Sequence, residues 1–377
     1  MWYCLRFGMW RLYAGPTEMT DTALAFNPEM LTLARESRGL SITDLAKAAS
    51  VSKSMLSRIE GGLRQPSVTM LARLADALGY PESFFRQRVY IYGVEPAQLF
   101  HRKRSRVALS ALTEIYARIH IVQLNLPKLL RSVELPELRI RPFDIEEYDG
   151  TEEDIARAVR LSWGLGRGPL RDLTRAIEGA GGLVIPFDFG TEHIDAISLW
   201  PVGLPPLFFV DMNKPSDRLR FSLCHELAHV VMHRQYLEPD MEKQANKFAG
   251  EFLVPGRDVV FDDFSLGSIA AMKPYWRVSM GVLIKRASAL GLIGDRYERT
   301  LWSKMTAAGY HKREPKELDI PREEPTLYPG IIDLHRKELG YTKAELAELL
   351  LLNEADVQAL YLSLVQEKEH PHLRLIV

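Results

Sequence analysis

His225 and His229 flank Glu226 in the pattern His-Glu-x-x-His, within the stretch Phe-Ser-Leu-Cys-His-Glu-Leu-Ala-His-Val-Val-Met-His that ends at His233. In a helix, residues four apart stand one turn apart on one face, so both imidazoles can grip one metal ion with Glu226 beside them. Zn²⁺ in a catalytic site takes three protein ligands and keeps one position open, which requires a third ligand close by. Glu242 is the candidate, with Glu238, Asp240 and Glu251 as alternatives. The zincin branch that adds a Gly and a third His is excluded, because those positions hold Met232 and Gln235. With zinc bound, the chemistry is hydrolysis of a peptide bond, the metal supplying Lewis acidity and Glu226 acting as general base.

The bland alternative is a structural histidine pair. Against it, Phe221, Ala228 and Met232 fall on the same side as the two histidines, an apolar stripe in which unpartnered imidazoles are costly. A second helical stripe follows in Met241, Ala245, Phe248, Ala249 and Phe252, and it stops at Pro255-Gly256. Packing the two helices together brings Glu242 under the histidines.

These residues carry a resemblance. Arg218-x-Arg220-Phe221-Ser222 before the motif, a helix continuing to His233, and then Glu242-x-x-Ala-Asn-x-Phe-Ala-x-Glu-Phe-Leu-x-Pro255 resemble the ImmA/IrrE family of metallopeptidases. The resemblance covers roughly residues 151–255. It implies an α+β zincin core with His225, His229 and Glu242 as zinc ligands and Glu226 as general base. It also implies a protein substrate, with a repressor cleaved during stress or mobile-element induction as the plausible class. Cys224 stands where the family more often has a small residue, and no role is assigned to it.

Earlier in the chain, a helix from Pro28 stops at Gly39, a second opens at Ser41, and a tight break at Ser50-Val51 precedes a third capped by Ser52. A turn from Glu60 to Ser67 leads to a fourth helix from Thr69 to Gly79. This is a helix-turn-helix, a module that lays the second helix of the pair in the major groove of double-stranded DNA. Lys53, Ser54 and Ser57 occupy the base-reading end, and Arg58 and Arg64 are placed to approach phosphates. The spelling Leu-Ala, Val-Ser, Ser-Arg-Ile-Glu-x-Gly and Pro-Ser resembles the Xre/Cro/CI family. Ile42 departs from it, standing where the family commonly has Gln.

The remaining elements must connect and support these two sites. A chain of 377 residues suggests two or three domains, and its net charge of −1 decides nothing about nucleic acid, since opposite patches cancel. Two cysteines, Cys4 and Cys224, make a disulfide framework improbable and a reducing cytoplasm the default, and no apolar run reaches the length of a membrane span. The expected organisation is multidomain and mainly α: an irregular extension over 1–25, a helix-turn-helix domain over 26–88, a helical linker over 89–140, a metallopeptidase domain over 141–320 and a C-terminal helical module over 321–377. Whether Met1 or Met19 is the start is left open.

Within the linker, the basic run 102–106 reads as a solvated charge cluster. One long helix follows from Val107 to Leu130, with Pro127 as a point of interruption, and it is a candidate for homodimer contacts. Helices are expected from Glu152 to Trp163 and from Leu170 to Gly179, short strands at 181–186, 196–200 and 206–210, and a zinc helix capped by Ser216. A further helix is expected to begin at Tyr275. Residues 341–361 imitate a helix-turn-helix, but Glu354 and Asp356 would repel phosphate, so they read as a packing module. The chain as a whole reads as a DNA-binding regulator with a zinc endopeptidase domain. The competing readings are a regulator whose zincin-like domain senses a ligand or metal without proteolysis, and a mobile-element protein acting chiefly by protein contact.

Overall fold

The structure is a computed structural model that describes residues 25–88, 107–145, 147–233, 240–311, 313–364 and 374–375. The expectations for the N-terminal extension, the start residue, Cys4, the basic run 102–106 and Glu238 lie outside the described residues.

Helices α1 (Pro28–Ser37), α2 (Ile42–Ala48), α3 (Lys53–Glu60) and α4 (Val68–Leu78) form the N-terminal bundle. Each begins at a polar residue, Asn27, Ser41, Ser52 or Ser67, whose side-chain oxygen accepts a first-turn N–H. Gly39 turns left-handed (φ 64°) to end α1, and Ser50 does the same (φ 53°) in the break between α2 and α3. Arg73 on α4 donates to the Ser50 carbonyl at 3.1 Å, which holds that break from outside. Ile42 is half-buried against the bundle core, so the residue that departs from the family pattern serves packing.

Helix α5 (Leu109–Leu130) is continuous, with Pro127 accommodated in its last turn. Ile115, Ile119, Val122 and Leu126 are buried within this chain, and so are Tyr116, Ala117, Ile121 and Leu129. Leu109, at the start of the same stripe, is exposed.

A two-residue strand β1 (Val133–Glu134) precedes the second half, which runs α6 (Glu152–Ser162), α7 (Leu173–Gly179), β2 (Leu183–Pro186), β3 (Ala196–Leu199), β4 (Leu207–Val210), α8 (Ser216–Met232) and α9 (Met241–Leu253). Helix α7 starts at Leu173 rather than Leu170, because Asp172 caps it by accepting from Arg175. Ser216 does not cap α8: it is the first helical residue, and the cap position belongs to Pro215, which offers no side-chain acceptor.

The three-stranded sheet has order β2-β4-β3, with β4 parallel to β2 and antiparallel to β3. All twelve strand residues are buried, so both faces are covered. Side chains alternate across a strand, and the two faces enter different cores. Leu183, Ile185, Ile197, Leu199, Leu207 and Phe209 join the core shared with the N-terminal bundle and α5. Val184, Ala196, Phe208 and Val210 join the core built on α8 and α9.

Beyond α9 come α10 (Leu266–Trp276), α11 (Met280–Ala289), α12 (Asp295–Ala307), α13 (Leu327–Lys337), α14 (Lys343–Leu350), α15 (Glu354–Leu360) and β5 (Arg374–Leu375), which pairs with β1. Tyr275 closes α10 instead of opening the next helix, since Arg277 turns left-handed (φ 55°) and Ser279 caps α11. Helices α13 to α15 share the core of the N-terminal bundle. Arg38 on the bundle forks onto Asp356 of α15 at 2.8 and 2.6 Å, and Asn353 donates to the Gly79 carbonyl. Of the two acidic residues that would repel phosphate, Asp356 thus faces protein, whereas Glu354 is exposed and lies 3.7 Å from Lys343.

Glu178 fastens α13 to α7. Its buried carboxyl accepts from Thr326 N at 2.9 Å, Leu327 N at 3.0 Å and Thr326 Oγ at 2.6 Å. Burial outweighs these donors and pushes it from 4.5 up to about 7. A carboxyl raised in this way stays protonated in the fold where the unfolded chain has ionised, so its contribution to stability is lost as pH rises from about 4.5 toward 7. Glu178→Gln is expected to flatten that part of the stability profile, measured by thermal unfolding across the same range. Parallel profiles for the two proteins would show that Glu178 does not titrate there.

Candidate metal centre and nucleic-acid interface

Helices α8 and α9 pack against each other through Leu227, Ala228 and Val231 on one side and Ala245, Phe248 and Phe252 on the other, all buried in one core. This places Glu242, in the first turn of α9, beside the histidine face of α8. Ligand atoms of His225, His229 and Glu242 lie within 4.8 Å of one another. The two Nε2 atoms are 3.0 Å apart, and the Glu242 carboxylate is 3.6 Å from each. Nitrogens sharing one tetrahedral Zn²⁺ at about 2.0–2.1 Å stand about 3.3 Å apart, so the pair is spaced for a common ion. Phe221 contributes less to the stripe than its spacing suggests, being only half-buried.

The electrostatics agree with a cation site. Burial opposes charge on His225, but the Glu242 and Glu226 carboxylates and the Asn246 side chain outweigh it and raise the imidazole above its ordinary value. The set therefore favours positive charge at its centre, and two imidazoles with a carboxylate are a donor set that zinc accepts. The residues present fit the metal.

Second contacts orient the ligands. His225 Nδ1 lies 3.1 Å from Asn246 Oδ1, so an N–H there donates outward and leaves Nε2 free to bind. His229 Nδ1 lies 3.0 Å from His233 Nδ1. Glu226 is buried, and its Oε2 accepts from Ser198 N at 2.9 Å and Ser198 Oγ at 2.6 Å. Ser198 can do this because it stands two residues after Ala196 and so on the same face of β3, the one that meets α8. Sequence reasoning passed over Asn246, Ser198 and Gln244. Asn246 had a signal, standing four residues after Glu242 and so on its helical face. Ser198 had one only after the register of β3 was fixed.

Two of the alternative third ligands are paired elsewhere. Glu251 is buried against Arg286 and accepts from Gly256 N at 3.1 Å, while Asp240 pairs with Lys243 at 2.9 Å. Cys224 is fully buried, and burial pushes its thiol far above the ordinary range despite Arg220 and Arg160 nearby, leaving it inert.

In the N-terminal bundle, α3 buries Leu56 and Ile59 and exposes Lys53, Ser54, Ser57 and Arg58 on its outer face. Arg64 is exposed in the following turn, and Arg35 pairs with Glu60 at 2.7 Å to brace the end of α3. The exposed set has the form of a reading helix flanked by phosphate-contacting cations. Lys53→Ala is expected to weaken and relax sequence-specific binding. Arg58→Ala and Arg64→Ala should weaken all sequences alike and each reduce the salt slope by about 1. Fluorescence anisotropy over a salt series reads both, and wild-type slopes in all three variants would remove this face from the interface.

Among the described residues no helix is long and apolar enough to cross a membrane. No match was found among curated protein sequences. Residues 31–85 match the family model described as helix-turn-helix, and residues 177–288 match that of the IrrE N-terminal-like domain. The chain thus carries an Xre-type helix-turn-helix region followed by an IrrE/ImmA-like peptidase region in a mainly α, multidomain fold.

Proposed function

We propose that this chain is a cytoplasmic, DNA-binding transcriptional regulator whose second half is a zinc-dependent endopeptidase, acting on a repressor-type protein in a stress or mobile-element response. The observation that carries the reading is the convergence of His225, His229 and Glu242 around one point with Glu226 on the same helix. Zn²⁺ held there supplies the Lewis acidity for peptide hydrolysis. Glu226 takes the proton of the attacking water and returns it to the leaving amine, while α3 brings the molecule to its operator. Modules of this kind commonly bind as pairs on two-fold sites.

One observation favours a second reading, a ligand or metal sensor: Oε2 of the would-be base is held by two donors of Ser198. The test is incubation of zinc-loaded protein with candidate repressors, with cleavage followed by mass spectrometry and Glu226→Gln run in parallel. Cleavage by wild type alone supports the peptidase. Cleavage by both at equal rate removes Glu226 from the chemistry.

A further inference from the structure

Three polar side chains form a line that ends at one metal ligand. Gln244 Oε1 lies 2.8 Å from His233 Nε2, His233 Nδ1 lies 3.0 Å from His229 Nδ1, and His229 Nε2 points at the ligand set. His233 and His229 are both buried, so their protons are not exchanged freely for hydrogen bonds to water. A neutral imidazole donates from one nitrogen and accepts at the other. With the Gln244 oxygen as acceptor, His233 donates from Nε2, and its Nδ1 must accept. His229 therefore carries its proton on Nδ1, and the lone pair is left on Nε2, where a metal would need it. Reversing any link puts a proton on His229 Nε2 and blocks ligation.

We propose that His233 and Gln244 are positioning residues that fix the tautomer and ring orientation of His229 for metal binding. The proposal rests on the reading of His225, His229 and Glu242 as a metal site. It assigns a task to the third histidine of α8 and its boundary: His233 stands one helical turn beyond His229 but turns its Nδ1 toward His229 instead of joining the ligand set. It also explains why a glutamine sits two residues after Glu242 on α9, half-buried against the end of α8.

Zinc affinity of the full chain, measured by competition with a chromophoric chelator, tests this without any substrate. The visible spectrum of the Co²⁺-loaded protein reports ligand geometry alongside. His233→Phe keeps ring volume and removes the acceptor. It should lose about 10–100-fold in zinc affinity, the usual effect of deleting a partner of a metal-bound histidine, and should shift the Co²⁺ bands. Gln244→Leu should lose affinity in the same direction, whereas Gln244→Glu, which still accepts, should bind at wild-type affinity or tighter. His225→Ala is the control for the site itself. If wild type takes no stoichiometric zinc, or His225→Ala takes it as well as wild type does, the metal reading falls and this proposal with it. If wild type binds and His225→Ala does not, but His233→Phe and Gln244→Leu match wild type in affinity and spectrum, only the relay is overturned. Should His233→Phe not fold, the pair at position 244 decides alone: affinity lost in Leu and kept in Glu supports the relay, and equal affinity rejects it.

Discussion

His229→Ala protein is expected to come off a desalting column without stoichiometric zinc, while wild type retains one ion per chain. The imidazole it loses faces both His225 and Glu242 across the ligand set. If the ~10–16 kcal/mol of a folded zinc site is shared among its three protein ligands, one of them is worth about 3–5 kcal/mol, or roughly 10²–10⁴-fold in affinity. His225→Ala should behave alike, and Glu242→Ala should weaken binding as well. Elemental analysis and chelator competition read all three. Unchanged metal content in Glu242→Ala would show that the carboxylate beside the histidines is not a ligand. With Glu251 and Asp240 already paired elsewhere, Glu238 would then be the residue to test.

The second large effect separates enzyme from sensor. Glu226→Gln should keep the fold, the zinc and the DNA affinity, because the amide is nearly isosteric and its oxygen can still accept from Ser198. Proteolysis should fall by about 10²–10⁴-fold, the contribution of a positioned general base, since an amide cannot take up the proton of the attacking water. Any promoter response that depends on cleavage should disappear with it. A sensor gives the opposite pattern, in which Glu226→Gln regulates normally and His225→Ala does not. Wild-type regulation in a Glu226→Gln strain would be enough to abandon proteolysis as the function.

Much of the site was legible because its chemistry repeats at helical spacing. His225, Glu226 and His229 announce themselves on one helix, and Glu242 follows from the need for a third donor nearby. The supporting residues were not legible, for a physical reason. A serine in a strand or a glutamine between lysine and alanine has no distinctive pattern until packing supplies its partner, and an asparagine one turn after Glu242 shows only a shared helical face. The same limit applied to the fold. Periodicity showed that Leu346, Ala347, Leu350 and Val357 form an apolar face, but not that this face would share a core with α1 to α4. Boundaries failed where a single backbone angle decided them, as at Arg277, whose left-handed turn ends one helix inside a stretch that reads as continuous.

The ion pair between Arg38 and Asp356 joins residues 318 positions apart. During synthesis the N-terminal bundle leaves the ribosome with its own short-range contacts available, but the surface that receives α15 stays uncovered until nearly all the following chain has been made. Contacts of such long sequence separation form late, because the loop they close must first be brought together. A nascent chain therefore presents α3 well before that surface is covered, and the mature arrangement is reached only after α13 to α15 have been translated and docked.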